Sequence, residues 1–300
     1  MKEKKAEGRP VLRTSVIFLG LFLVLLLYSF VSSLFLRVEH YTVRADLTRP
    51  IRIVQLTDLH NSQYGENNSK LIALVEEQDP DLIVMTGDML NRDDPNTEIV
   101  EQLIRNLVPI APVYYGYGNH ETGWEDKYQR NLHEVLSAAG AIVLESEYVD
   151  FEIKGQQLRI GGYMGFWLQP HMMTRDPDQQ EREFQFFRDF ADTDRQMILL
   201  NHIPTSWLDW HYIDTAPAGI AFCGHYHGGV VRIPFLNQGL YAPYVGWFPP
   251  YTKGVFQGKK TTCILSSGLG NEYHVPRMNN PPEIVVLDLL PGGNEGNSCS

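Results

Sequence analysis

Thiols are scarce in this chain. Of its 300 residues only Cys223, Cys263 and Cys299 are cysteine. An odd number at scattered spacing argues against a disulfide framework and against a Cys-rich structural zinc site. Cys223 and Cys263 fall in apolar, strand-like runs and are expected to be buried free thiols. Positive charge is also short: Lys and Arg number 25 against 36 Asp and Glu, a net charge of -11. Residues 1–14 carry Lys2, Lys4, Lys5, Arg9 and Arg13 against Glu3 and Glu7, so the remainder holds 20 basic and 34 acidic side chains, or -14. A body this acidic repels phosphate backbones, which excludes general binding of nucleic acid. Its carboxylates are left to serve cations. No internal repeat is visible. The hydrophobic share of 43% suffices for a globular core.

Charge is absent altogether from Ser15 to Leu36, SVIFLGLFLVLLLYSFVSSLFL. As a helix this run extends roughly 33 Å, enough for a bilayer core of roughly 30 Å. A buried core helix of this length would need a polar face, which the run lacks. A cleaved signal peptide is the better rival, with Val31 and Ser33 as a small-residue site. The run nevertheless exceeds the usual ~7–15 apolar residues of such peptides. An uncleaved anchor is therefore expected. Five basic residues precede it, and Arg37, Arg44 and Arg49 follow closely. That bias places the N-terminus in the cytoplasm and the main domain outside, a single-pass membrane protein with an extracytoplasmic catalytic domain. The expected organisation is a basic tail (1–14), a transmembrane anchor (15–36), one domain (37–290) and a disordered Gly-, Asn- and Ser-rich tail (291–300).

Within the domain, strand and helix patterns alternate. Residues 37–50 read as a strand and a turn, Ile51–Leu56 as a strand, Ser69–Gln78 as a helix capped by Asn68 or Ser69, and Leu82–Thr86 as a buried strand. Thr97–Leu107 is helical by the spacing of Ile99, Leu103, Ile104 and Leu107. Val113–Tyr117 is a strand, Tyr128–Ala139 a helix and Ala141–Leu144 a strand. Such alternation indicates an α/β layer with a largely parallel sheet. Further on, Lys154-Gly155 signals a hairpin between Tyr148–Ile153 and Gln157–Ile160. Residues 163–180 are loop-like and Glu181–Phe190 helical. Met197–Leu200, Ile220–Cys223, Val230–Ile233, Thr261–Ser266 and Ile284–Leu289 read as strands. Two packed sheets with helices on their outer faces are expected.

Five short segments fall where strand-like runs end: Thr57-Asp58-Leu59-His60, Gly87-Asp88, Gly118-Asn119-His120-Glu121, Asn201-His202-Ile203-Pro204 and Gly224-His225-Tyr226-His227-Gly228. Loops beyond the carboxyl ends of strands converge on one crevice in an α/β sheet. Taken singly, most have a bland explanation. Asp58-x-His60 can be a turn Asp beside a surface His, Gly87-Asp88 an ordinary turn, Gly118-Asn119-His120-Glu121 a strand-ending turn, and His202 a satisfied, half-buried ring. Two histidines at i and i+2 among three glycines suit core packing poorly, so the last segment is the strongest. Together they supply Asp58, His60, Asp88, Asn119, His202, His225 and His227, a mixed oxygen and nitrogen set without thiolate. Such ligands suit Mn, Fe or Zn better than Ca. Seven are too many for one tetrahedral ion, and they fit two ions if one carboxylate bridges.

In this order the motifs resemble the calcineurin-like metallophosphoesterase superfamily, over residues 51–289. The resemblance implies a four-layer α/β/β/α metallophosphoesterase sandwich with two divalent metal ions at its edge. It implies that Asp58, His60 and His227 bind the first metal, that Asn119, His202 and His225 bind the second, and that Asp88 bridges. His120 is then the residue that assists phosphoester cleavage rather than a ligand, and Glu121 a group that orients it. Arg92 follows Gly87-Asp88-Met89-Leu90-Asn91 and matches a family arginine that steadies phosphate, a surface ion pair being the dull alternative. Asn91 departs from the Asp of many relatives. Residues 224–256 and 267–289 are similar to the membrane-anchored or exported bacterial branch of YaeI and YkuE, which implies a phosphodiesterase or pyrophosphatase acting near the membrane on a lipid- or nucleotide-linked phosphate. A phosphomonoesterase, phosphoprotein phosphatases included, uses the same metal clamp. A non-catalytic metal-binding scaffold would have no need of His120. Phe166-Trp167-Leu168, Phe235-Leu236 and Tyr241 to Tyr251 are dense in aromatics. They either pack the second sheet or form an apolar wall that meets a membrane interface. The substrate, the metal pair and the oligomeric state are not specified by these residues.

Overall fold

A computed structural model describes residues 8–32, 34–165, 177–236, 238–271 and 276–292. Along the chain the elements are α1 (Gly8–Ser32), β1 (Arg37–Ala45), β2 (Ile51–Leu56), α2 (Ser69–Glu76), β3 (Leu82–Thr86), α3 (Glu98–Leu107), β4 (Val113–Gly116), α4 (Asn119–Tyr128), α5 (Leu132–Ala139) and β5 (Ile142–Leu144). There follow β6 (Glu147–Ile153), β7 (Gln156–Gly162), α6 (Pro177–Ala191), β8 (Gln196–Leu200), the single turn α7 (Thr205–Leu208) and β9 (Gly219–Cys223). The C-terminal part holds the two-residue strands β10 (Arg232–Ile233), β11 (Gln238–Gly239), β12 (Tyr241–Ala242) and β13 (Gly246–Trp247), then β14 (Gly254–Gln257), β15 (Thr261–Leu265) and β16 (Glu283–Pro291).

Side-chain alternation along the strands builds the layers. Ile51 and Ile53 of β2, Leu82 and Val84 of β3, and Ile198 and Leu200 of β8 join one buried cluster between two sheets. Their neighbours Val54, Leu56, Ile83 and Met85 pack outward against Leu71 and Val75 of α2 and Leu103, Ile104 and Leu107 of α3. On the far side Leu199, Ala221, Cys223, Cys263 and Leu265 face Phe186 and Phe190 of α6. The result is the expected α/β/β/α order. One six-stranded sheet runs β1-β16-β2-β3-β4-β5 and the other β14-β15-β9-β8-β7-β6. β2 to β5 are mutually parallel, as are β7, β8, β9 and β15. Gln55 ties the sheets across the middle: its Nε2 donates to Thr86 Oγ1 and to the Cys223 carbonyl, at 2.8 and 2.9 Å. Cys223 and Cys263 are buried and free.

Several local expectations shift. The apolar helix starts at Gly8, inside the basic tail, and ends at Ser32. Its side chains from Val16 to Leu27 are mostly exposed. Asn68 does not cap α2: its Oδ1 accepts the Tyr64 N–H at 2.9 Å instead. The helix expected over Tyr128–Ala139 starts only at Leu132, Tyr128 being the last residue of the preceding helix. Left-handed Gln129 ends α4, and Asn131 starts α5 by accepting the Glu134 N–H at 2.9 Å. Val230 has φ 57°, outside any strand conformation, which confines the expected 230–233 strand to Arg232–Ile233. The hairpin at Lys154-Gly155 forms, both residues having positive φ. Phe166-Trp167-Leu168 and residues 293–300 lie outside the described residues.

Candidate active site

All five segments leave the C-terminal ends of strands: Asp58 and His60 follow β2, Asp88 follows β3, Asn119 and His120 follow β4, His202 follows β8, and His225 and His227 follow β9. Three parallel strands of one sheet and two of the other therefore point their ends at one crevice. Two triplets form there. Ligand atoms of Asp58, His60 and His227 lie within 4.8 Å of one another, and so do those of Asp88, His202 and His225; all six residues are buried. Asp88 and Asp58 meet at the shared ring of His202, whose Nε2 lies 2.9 Å from Asp88 Oδ2 and 3.9 Å from Asp58 Oδ1.

The backbone is bent to achieve this. Asp58, His60, Asp88, His225 and His227 all have φ between 46° and 69°. A non-glycine residue in this region costs on the order of 1–3 kcal/mol, and such strain gathers at functional sites. Close approach adds a second demand. A Cβ on Gly118 would lie 2.3 Å from Asp88 Oδ1, and one on Gly224 would lie 2.3 Å from Asp58 Oδ2. Both carboxylates thus occupy space that only glycine leaves open.

Hydrogen bonds then fix each group. Asp58 accepts the His225 N–H, and Asp88 Oδ1 accepts the His120 N–H at 2.8 Å. His202 Nδ1 lies 2.7 Å from the Thr86 carbonyl, which assigns a proton to Nδ1 and turns Nε2 toward Asp88. His120 Nδ1 accepts the Arg92 N–H at 3.1 Å, which assigns its ring proton to Nε2, 4.0 Å from Asp88 Oδ2. The backbone of Arg92 thus orients the His120 ring. Glu121 is buried and accepts four hydrogen bonds, from the N–H groups of Asp88, Met89 and Gly118 and from the Tyr115 hydroxyl, at 2.7–2.9 Å. It clamps the Asp88 loop to the start of α4. The Arg92 side chain is exposed and lies over Gly123. Asn91 donates to the His60 carbonyl at 3.0 Å, a task for which an amide is suited and a carboxylate is not.

Burial and mutual charge set the site's electrostatics. Burial pushes the Asp58 carboxyl up to about 7, against the pull of His202. Burial also opposes ionisation of Asp88, but the adjacent His202 outweighs it and holds that carboxyl well below the usual range. His202 itself, despite burial, is lifted to about 10, by Asp88 before Asp58. Burial and then His60 hold the His227 ring neutral. Two enclosed carboxylates, with burial opposing the charge of each, are costly unless cations pair with them. Asn119 supplies a sharper sign: its Oδ1 is buried and has no hydrogen-bond partner among the described residues. An oxygen left in that state suits a metal ion, and the donor set fits a pair.

Glutamine at position 121 retains the shape but turns an N–H₂ toward backbone donors. Glu121→Gln is expected to cost about 3 kcal/mol, the scale of two lost hydrogen bonds to a charged group. Thermal unfolding in detergent should show a clearly lower midpoint, together with reduced turnover; an unchanged midpoint would contradict the clamp.

A family model, Calcineurin-like phosphoesterase, matches residues 51–229. The chain is 27% identical over 248 residues to Phosphodiesterase YaeI of Escherichia coli K12, covering 82% of this chain and 84% of the other. It is 29% identical over 247 residues to the uncharacterized metallophosphoesterase YkuE of Bacillus subtilis 168, covering 79% and 78%. Among solved structures it resembles a 5'-nucleotidase precursor from Thermus thermophilus at TM-score 0.46 and 14% identity, over 80% of this chain and 54% of that one.

Proposed function

We propose, from the premise that this chain belongs to the calcineurin-like phosphoesterase family, that it is a phosphodiesterase or pyrophosphatase working beside a membrane on a lipid- or nucleotide-linked phosphate. The chain is a metal-dependent hydrolase of phosphoester bonds, and its cofactor is a pair of divalent metal ions. In our assignment Asp58, His60 and His227 hold one ion, Asn119, His202 and His225 hold the other, and Asp88 is shared. The pairing of two buried triplets around the two carboxylates is the observation that carries the assignment. When bound, two such ions draw charge from phosphate oxygens and make water a competent nucleophile at neutral pH.

The chain's own residues do the rest. Asp88 and Asp58 supply the negative charge that retains the ions. Thr86, through its carbonyl, keeps His202 Nε2 turned inward. His120 holds its proton at Nε2 and donates from there to the leaving oxygen or to a phosphoryl oxygen. Glu121 keeps Asp88 and His120 in register. The choice of a diester is supported by the relative named a phosphodiesterase. Proximity to a membrane is supported by the charge-free apolar span Thr14–Val31 of α1, and an extracytoplasmic domain by the basic residues ahead of that span.

The test uses the full chain, purified in detergent and supplied in turn with Mn, Zn, Fe and Mg. Turnover of an aryl phosphodiester should exceed that of the matching monoester. A faster monoester would favour a phosphomonoesterase, and no hydrolysis with any metal would refute the proposal.

A further inference from the structure

We propose that an exposed ridge made by Phe235, Leu236, Tyr241, Tyr244, Trp247 and Phe248 sits in the lipid–water interface beside α1 and presents lipid-linked phosphoesters to the site. This deepens the function proposed above and rests on it. The ridge is conspicuous for its exposure: 95% for Phe235, 69% for Trp247, 65% for Tyr244 and 58% for Phe248. Of the two sequence-level alternatives, packing accounts for Ala242 and for Tyr251, which meets Phe256. It does not account for these six.

Hydrogen bonds place the ridge next to the end of the apolar helix. The Asn279 N–H donates to the Ser29 carbonyl of α1 at 3.0 Å. The neighbouring Met278 carbonyl accepts the Arg232 N–H at 3.0 Å. Phe235 is three residues beyond Arg232, hence within roughly 11 Å of it even along a fully extended chain. Phe248 joins the same place, because its N–H donates to Leu240, whose N–H donates to Val231, both at 2.8 Å. Trp247 pairs with Tyr241 across β12 and β13. A helix that crosses the bilayer and is bonded to the body in its last turns holds this part of the body at the headgroup layer. That layer spans roughly 5–8 Å on each side of the hydrocarbon core. Trp, Tyr and Phe are the rings that partition there.

The ridge also reaches the site. The Tyr244 ring stacks on His225, with centroids 5.2 Å apart and planes 12° apart. A second link lies at the helix end, where a cavity of about 260 Å³ has walls from Phe30 and Leu34 on one side and from Ser62 and Tyr64, just past His60, on the other. The end of α1 is thus tied to both flanks of the metal-binding loops, through this cavity to the loop after His60 and through the ridge to His225. Of possible occupants the bilayer is the one favoured, since a membrane-spanning helix would bring it there without a further partner.

The experiment places the full chain in phosphatidylethanolamine–phosphatidylglycerol vesicles, with and without lipids brominated near the headgroup end of the acyl chain. The Trp247 contribution to emission is the difference between the native chain and Trp247→Phe. Strong quenching of that contribution by bromine is expected. An unquenched Trp247 would overturn the proposal, as would cross-linking that finds the ridge covered by a second copy. Quenching needs no turnover, so it stands apart from the esterase proposal. In the activity arm, the Trp247→Ser, Phe248→Ser double variant should hydrolyse a soluble aryl diester within about twofold of the native rate while its turnover of a vesicle-borne lipid diester falls about tenfold or more, the scale of losing two buried rings. Equal rates on both esters would overturn the ridge's role. Native protein that cleaves neither ester would instead refute the esterase.

Discussion

Asp88→Asn is expected to abolish turnover, by at least about 10³-fold, the scale of removing one preorganised electrostatic stabiliser from a closed site. The substitution retains shape and removes charge. Asp88 is the carboxylate nearest His202, at 2.9 Å, and it accepts the His120 N–H, so both halves of the site lean on it. An asparagine still accepts that N–H but cannot neutralise cations on either side. Metal content should therefore fall below that of the native chain. The fold should survive, because the backbone clamp from Glu121 to the Asp88 and Met89 N–H groups is untouched. Full metal occupancy with normal turnover would show that Asp88 is not the shared ligand.

His120→Ala should behave differently. The imidazole is proposed as a donor to substrate, not as a ligand, so turnover should fall about 10²–10⁴-fold, as for loss of a positioned proton donor. Metal content should stay native. The contrast between the two variants separates holding metal from handling the leaving group, a distinction neither turnover value makes alone. An unchanged rate would remove His120 from the mechanism. Equal metal loss in both variants would mean that the ring near His60, with centroids 4.6 Å apart, supports the ligand shell instead.

What the sequence discloses about this site and what it hides follow from the range of the interactions involved. Asp58, Asp88, His202 and the His225–His227 pair were legible because each directly follows an apolar run with strand character, and the ends of parallel strands share an edge. The layer order was legible from alternation, as in Ile51, Ile53 and Val54. The role of Glu121 was not: its partners Asp88 and Met89 are about thirty positions earlier, and only the folded sheet brings their N–H groups to its carboxylate. The same holds for Arg92, whose backbone N–H rather than its side chain orients His120. The start of α4 was missed because Asn119 and His120 read as a turn, although the helix already begins there. Tyr244 was visible only as one aromatic among many. Its stacking on His225 depends on the short hairpin of β12 and β13, which carries no strong periodic signal.

The central claim is a site for two metal ions built from seven side chains sharing Asp88. The most direct measurement strips the full chain with a chelator and titrates Mn back, following bound metal and diester turnover together. Turnover that vanishes on stripping and returns as two equivalents bind per native chain, with Asp88→Asn binding fewer and recovering none, is the predicted result. Activity that survives stripping, or that is complete with one equivalent, would contradict it.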